Sequence, residues 1–345
     1  MNLTRIYITL LSAVLLFGCS KSEDFSEFVE EAQVEEIEIG LTYRPASLRN
    51  QDINFSVFDE DGTDITSEAT FFVNGNELTG NTFNSDTEGS FEVYATYDLN
   101  GTVFETPTET FSVVIPKRKV SIEDHTGTWC GYCPRITEAI EKVHDLTDNI
   151  TVVAIHNNDE MALDFEQLIR EEFNVTGFPT GRLNRTTSWI TPYDTSDVIA
   201  MAGQNSPVGI GISSSVNGST LNTTISVSSE EGLTGKKLVV YLVEDGILAD
   251  QTNYLNTNPN SQYYNMGDPI IDFVHDDVLR ASLTEIFGNN ISTTAALEEY
   301  TTNLSTQISP NFVVENLKLV VMVTEEDNST INSQYAYVNE TKGYE

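Results

Sequence analysis

Hydrophobic and polar positions alternate with period two along residues 53–58, where Ile53, Phe55 and Val57 fall on one side of an extended chain. The same alternation runs through residues 90–97, with Phe91, Val93 and Ala95 on one side. Thr70, Phe71, Phe72 and Val73 form a third short apolar run, and residues 111–115 form a last one before Pro116. Asp59-Glu60-Asp61-Gly62, Asn74-Gly75-Asn76 and Asn100-Gly101 separate these runs. Short period-two segments bounded by Asn-Gly and Asp-Gly predict antiparallel strands packed as a sandwich over residues 37–115. The 59–64 acidic run lacks the ligand spacing of an EF-hand, which makes it a hairpin turn rather than a calcium loop.

The period changes after Lys117-Arg118-Lys119. Residues 120–124 read as a strand. Ile136, Ala139, Ile140, Val143 and Leu146 then share one face of a helix over 133–146. Residues 150–155 are continuously apolar, as in a strand buried on both faces. Phe165, Leu168, Ile169 and Phe173 mark a second helix over 163–173, and a short helix is expected over 195–203. Strand, helix, strand and helix in succession predict an α/β unit over 116–205. Strand patterns return at 209–216, 221–228, 238–244, 317–324 and 335–338. Between them lies an excursion over 250–310, rich in Asn, Asp and Tyr, with helices expected at 275–286 and 294–307. An excursion of this length inside a β-domain is a packed insertion or a functional loop.

The N-terminus carries Arg5, an apolar run from Ile6 to Phe17, and Gly18-Cys19. The run is too short to span a bilayer and reads as a signal segment over 1–18. Leu16-Phe17-Gly18-Cys19 resembles the lipobox of bacterial lipoproteins, which implies lipid on Cys19. Residues 19–36 are polar and acidic, a solvated tether.

Composition narrows the function. The 345 residues carry 53 Asp plus Glu against 17 Lys plus Arg, a formal net charge of −36. Such a chain repels phosphate, so no nucleic-acid partner is expected. Three cysteines are too few for a disulfide scaffold. Apolar content of 39% is too high for a disordered acidic tail.

Two of those cysteines stand in Trp129-Cys130-Gly131-Tyr132-Cys133, where a strand gives way to a helix. At a helix N-terminus, unpaired backbone N–H groups and the helix dipole stabilise a thiolate. The first cysteine becomes a nucleophile near neutral pH, and the second, one turn later, resolves the mixed disulfide. A zinc site would need two more ligands at suitable spacing, and His125, His144 and His156 do not offer it. A purely structural bridge gains little from closing so short a loop. His125 and His156 either line the site or are ordinary, partly exposed histidines.

Val175-Thr176-Gly177-Phe178-Pro179-Thr180 completes a resemblance to the thioredoxin superfamily. That resemblance implies a cis-proline at Pro179 lying against the redox pair. Phe178 and Thr180 then hold an extended substrate, Trp129 packs beside the cysteines, and Asp124 accepts the proton of Cys133. Gly131-Tyr132 between the cysteines resembles periplasmic disulfide isomerases. Residues 37–115 resemble small immunoglobulin-like modules of bacterial surface proteins. The whole arrangement resembles the outer-membrane-protein-twenty-eight-related lipoproteins of one Gram-negative phylum. Residues 123–134, 177–180 and the Phe273-Val274-His275-Asp276-Asp277-Val278-Leu279-Arg280 stretch carry this likeness over about 120–340. At helical spacing, His275 or Asp276 would pair with Arg280.

The expected fold is an α+β multidomain chain. It has an immunoglobulin-like β-sandwich (37–115), a central thioredoxin-like α/β domain (116–205) and a C-terminal β-sandwich (206–345) with a long, partly helical insertion (250–310). The expected address is the cell envelope, lipid-anchored at the outer membrane. Cys130, Cys133 and Asp124 would exchange disulfides with exported proteins, without cofactor or metal and with an unidentified redox partner. The alternative is a non-enzymatic surface binding or adhesion protein, with Tyr254, Tyr263 and Tyr264 in its binding excursion.

Overall fold

The computed structural model describes residues 38–345. The expected leader over 1–18, the lipid site at Cys19 and the tether over 19–36 lie outside the described residues.

Residues 40–114 form short strands that pair among themselves. Ala46–Leu48, Glu109–Val114, Gly89–Leu99, Ala69–Val73 and Asn76–Glu77 lie in that order in one sheet, and Thr102–Glu105 pairs with Gly89–Leu99. The turns follow from their residues. Asn74 and Gly75 have φ of 49° and 74°, and Asn100 and Gly101 of 55° and 89°. Two successive residues with positive φ suit the twist of a tight hairpin, and Asn and Gly adopt them at least cost. Asp59 closes its own turn, its carboxylate accepting the N–H groups of Asp61 and Thr63. Phe111 is the hub of the core, with the rings of Phe55, Phe83 and Phe91 at 5.4, 5.3 and 5.5 Å.

The expected α+β division, with a thioredoxin-like α/β centre and a partly helical insertion, is corrected by the structure. Strands hold 44% of the described residues and helices 9%. Val120–Thr126 and Ile150–His156 do run parallel, joined through the helix Pro134–His144. Ile150–His156 then continues sideways, pairing with Val278–Ser282 at Ala154 and Val278. A nine-stranded sheet results, in the order Thr187–Trp189, Thr180–Leu183, Val120–Thr126, Ile150–His156, Val278–Ser282, Lys237–Glu244, Leu317–Thr324 and Thr330–Tyr337, with Asn289–Asn290 alongside Lys237–Glu244. The strands read as a separate α/β centre thus share one sheet with the C-terminal strands.

Neither expected helix of the excursion forms. Asp277 has φ of 58°, which interrupts any helix across 275–286. The chain instead makes two strands, Ile270–His275 and Val278–Ser282. Leu297, with φ of 65°, interrupts the second, and the threonine-rich Tyr300–Gln307 is a strand paired with Thr220–Ser229. Threonine branched at Cβ favours that outcome.

Lys237–Glu244 is buried on both faces. Leu238, Val240 and Leu242 pack against the four-stranded sheet that contains Val208–Asn217 and Thr220–Ser229. Val239, Tyr241 and Val243 pack with Val153, Ile155, Ile169 and Phe173. The helix Pro134–His144 lays Ile136, Ala139, Ile140 and Val143 on Val120, Ile122 and Val152. Among the described residues no helix is long and apolar enough to cross a membrane.

Candidate functional site

All seven residues of Val120–Thr126 are buried, and this strand delivers the chain to the cysteine loop. A Cβ on Gly127 would stand 2.7 Å from Trp129 Nε1 and 3.0 Å from the Asn157 carbonyl oxygen, so the loop needs glycine there. Trp129 Nε1 donates to that carbonyl at 2.6 Å. The Thr128 N–H donates to Asp159 at 2.9 Å, and the same carboxylate oxygen meets His156 Nδ1 at 2.8 Å. Burial opposes the charge of Asp159. His156 and the N–H groups of Thr128 and Met161 outweigh that cost and hold it below the usual carboxylate range.

Cys130 and Cys133 are joined as a disulfide with Cα atoms 5.3 Å apart. Cys133 caps the helix Pro134–His144, and proline at the first helical position sacrifices no hydrogen bond. Both cysteines are covered, with 5% and 1% of their surface exposed. The cover comes from the excursion. Gln251 Nε2 donates to the Cys130 carbonyl at 3.0 Å and to the Gly127 carbonyl at 3.4 Å. The N–H groups of Thr252 and Tyr254 donate to the carbonyls of Thr128 and Gly131 at 2.8 and 2.9 Å. The Tyr254 ring meets Tyr132 edge-on at 5.3 Å.

An exposed aromatic rim surrounds the pair: Trp129 at 44%, Tyr132 at 45% and Tyr254 at 57% exposure. Phe178 meets the Trp129 ring at 5.4 Å. The Phe178–Pro179 bond is cis, and the Pro179 carbonyl accepts from Tyr193 Oη at 2.9 Å. Thr180 pairs with His125, one residue from Asp124, and its hydroxyl donates to the Gly177 carbonyl at 2.8 Å. The fold therefore gathers Trp129, Phe178 and the cysteines on one rim. Thr180 and Asp124 lie on adjacent strands beneath it.

Asp124 is buried, and its Oδ1 has no hydrogen-bond partner. Burial pushes its carboxyl up to about 8, and the neighbouring Asp277 adds to the shift. It lines a cavity of about 540 Å³ between the Pro134–His144 helix and residues 263–277. His156, His275, Asp277 and Lys318 line the same cavity. Lys318 Nζ lies 2.6 Å from Asp277 and 2.8 Å from Asp245. Burial raises the Asp277 carboxyl to about 6 against the pull of Lys318. Burial likewise lowers His275 to about 4, with His156 adding.

His125 and His156 are both buried rather than partly exposed. Only His156 reaches the cavity, while His125 is pushed down to about 3 by burial and by Arg182, Arg170 and Arg185. Arg280 pairs with Glu244 at 3.2 Å rather than with His275 or Asp276. Sequence reasoning missed Gln251, Tyr254 as a cover residue, and Lys318. No local pattern marks them, because each meets its partner from far along the chain.

The family model of outer membrane protein Omp28 matches residues 166–342, beginning after the two cysteines. No curated protein matches the chain. Among solved structures, HBP35 of Porphyromonas gingivalis is similar at 18% identity over 65% of this chain and 76% of that one, with a TM-score of 0.53, a likeness of fold. A β-glucosidase from Kluyveromyces marxianus aligns with 87% of this chain over 46% of its own length at 9% identity and a TM-score of 0.17. With the Omp28 match spanning just over half of its length, the chain belongs to the Omp28 family of outer membrane proteins, and that membership implies an outer-membrane location.

Proposed function

We propose that this outer membrane protein exchanges disulfides with exported proteins through Cys130 and Cys133. The observation that carries the reading is a closed Cys130–Cys133 disulfide at the start of a helix, ringed by Trp129, Tyr132 and Phe178. A substrate thiolate attacks Cys130 Sγ and breaks the Cys130–Cys133 bond, and Cys133 leaves as a thiolate. A second substrate thiolate then displaces Cys130. The substrate dithiol is oxidised by two electrons and the pair is reduced. In reverse, Cys130 attacks a substrate disulfide and Cys133 resolves the mixed disulfide. Asp124 takes or returns the proton of Cys133, and Phe178, Pro179 and Thr180 hold the substrate chain. Lipid on Cys19 would anchor the chain, with residues 19–36 as its tether.

Purified full chain should turn over insulin or scrambled ribonuclease, and Cys130→Ser should abolish the turnover. A Cys133→Ala variant should trap substrates as mixed disulfides in cells. No turnover and an empty trap would end this reading. They would favour a second one, surface binding through the exposed Tyr254 and Tyr264 of the excursion.

A further inference from the structure

We propose that the cavity behind the cysteine loop binds an organic ammonium ion, a primary amine on an aromatic or aliphatic body. Its volume of about 540 Å³ lies within the range of small-molecule sites. Six acidic side chains line it, Asp124 protonated and Glu141, Asp272 and Asp276 at its exposed edge, and Lys318 is its only lysine or arginine among the described residues. Asp277 and Asp245 hold Lys318 between them, so its charge is already matched. The cavity is therefore electronegative, and low-dielectric walls strengthen its attraction for a cation.

Three buried polar atoms on residues that line this space lack partners. Asp124 Oδ1 belongs to a residue 4% exposed, Tyr263 Oη to one 5% exposed and His275 Nε2 to one 7% exposed. Buried polar groups ordinarily have hydrogen-bond partners, so three open ones on one cavity call for a polar ligand, and Asp124 and His275 for one that donates. An ammonium offers several N–H donors. His275 is neutral in its buried setting and so is able to accept one. Asp124 would ionise beside the incoming charge and release its proton.

The remaining walls fit the body of such a ligand. Ile140 and Ile270 are apolar, and Phe273 presents an aromatic ring. Ile271 and Val274, at 63% and 49% exposure, stand at an open mouth. The same carboxylates would repel an anion, and a lone metal ion would leave the apolar walls without a partner.

Asp124 is shared with the proposed proton transfer at Cys133, so binding is measured with the disulfide intact, where no proton passes to or from that cysteine. Isothermal titration of the full chain in non-ionic detergent at neutral pH would use phenethylammonium as probe, with phenylacetate and Ca²⁺ as comparators. Saturable binding of phenethylammonium alone is expected. Asp124→Asn should weaken it about tenfold or more, the loss of one charged hydrogen bond. Thr137→Trp, which fills the cavity from the half-buried side of the helix, should abolish it and decides the matter if the first variant does not fold. The proposal falls if the wild-type chain shows no saturable amine binding. It also falls if phenylacetate or Ca²⁺ binds as well as the amine, or if the folded variants bind the amine unchanged.

Discussion

Tyr254 stands over Gly131 so closely that a Cβ on the glycine would fall 2.4 Å from the ring's Cγ. The Tyr254 N–H also donates to the Gly131 carbonyl at 2.9 Å. The root of the ring cannot swing aside as a side-chain tip could, so Gly131→Ala must lift the cover. Reduction of the Cys130–Cys133 disulfide by dithiothreitol should then be severalfold faster than in the wild-type chain, because a thiol reaches buried sulfur only through local opening. Tyr254→Ala should act in the same direction. Unchanged reduction kinetics in both variants would show that thiols reach the sulfur by another route.

Gln251 is buried, and its amide serves the carbonyls of Gly127, Cys130 and Thr252. Gln251→Ala removes one donor from each of these carbonyls, of which those of Gly127 and Cys130 keep the N–H groups of Cys130 and Cys133, and should cost about 0.5–1.5 kcal/mol. Urea denaturation of the oxidised chain reads the loss as a lower midpoint at constant slope.

Arg185 and Glu123 form a pair with no exposed surface, their atoms 2.8 Å apart, and Arg185 also donates to Tyr241 Oη at 3.0 Å. Burial disfavours the Arg185 charge, but Glu123 and Tyr241 more than restore it. Glu123→Gln strands a buried guanidinium and should cost about 3–5 kcal/mol. The double variant Glu123→Leu with Arg185→Met should be destabilised much less. A double-mutant cycle with a coupling near zero contradicts this account.

Two neighbouring residues oppose each other in pH dependence. His125 is lowered from 6.5 to about 3, so the stability it contributes is present above about 6.5 and is lost as pH falls toward 3. Asp124 is raised from 3.8 to about 8, so its contribution is complete below 3.8 and is lost as pH rises toward 8. Melting temperatures across pH 4–9 should show His125→Gln flattening the acid limb. Asp124→Asn should gain most, relative to the wild-type chain, near pH 8–9. Parallel wild-type and variant curves would contradict both assignments.

The local features of this fold are legible in its sequence. Asn-Gly marks the tight turns at 74–75 and 100–101, and apolar spacing marks the helix Pro134–His144 and the strand Leu317–Thr324. Cys-x-x-Cys at a strand-to-helix junction finds the disulfide. What fails is long-range pairing. Nothing in residues 275–286 states that Val278 will lie beside Ala154, so the helical spacing of its acids and Arg280 misleads. The αL residues Asp277 and Leu297 interrupt the two expected helices, and the spacing of apolar and charged residues around them does not announce it. The candidate site divides the same way. Its cysteines are written within four positions, while Gln251 and Lys318 reach it only after the sheet is assembled.

The sheet also fixes an order of events during synthesis. Cys130 and Cys133 are three positions apart, whereas Gln251 follows Cys130 by 121. A chain entering an oxidising compartment from its N-terminus presents both thiols long before the segment that shields them. The bond is therefore free to close on the nascent polypeptide, and maturation locks an already oxidised pair under its cover. Any later exchange has to reopen what the completion of the chain sealed.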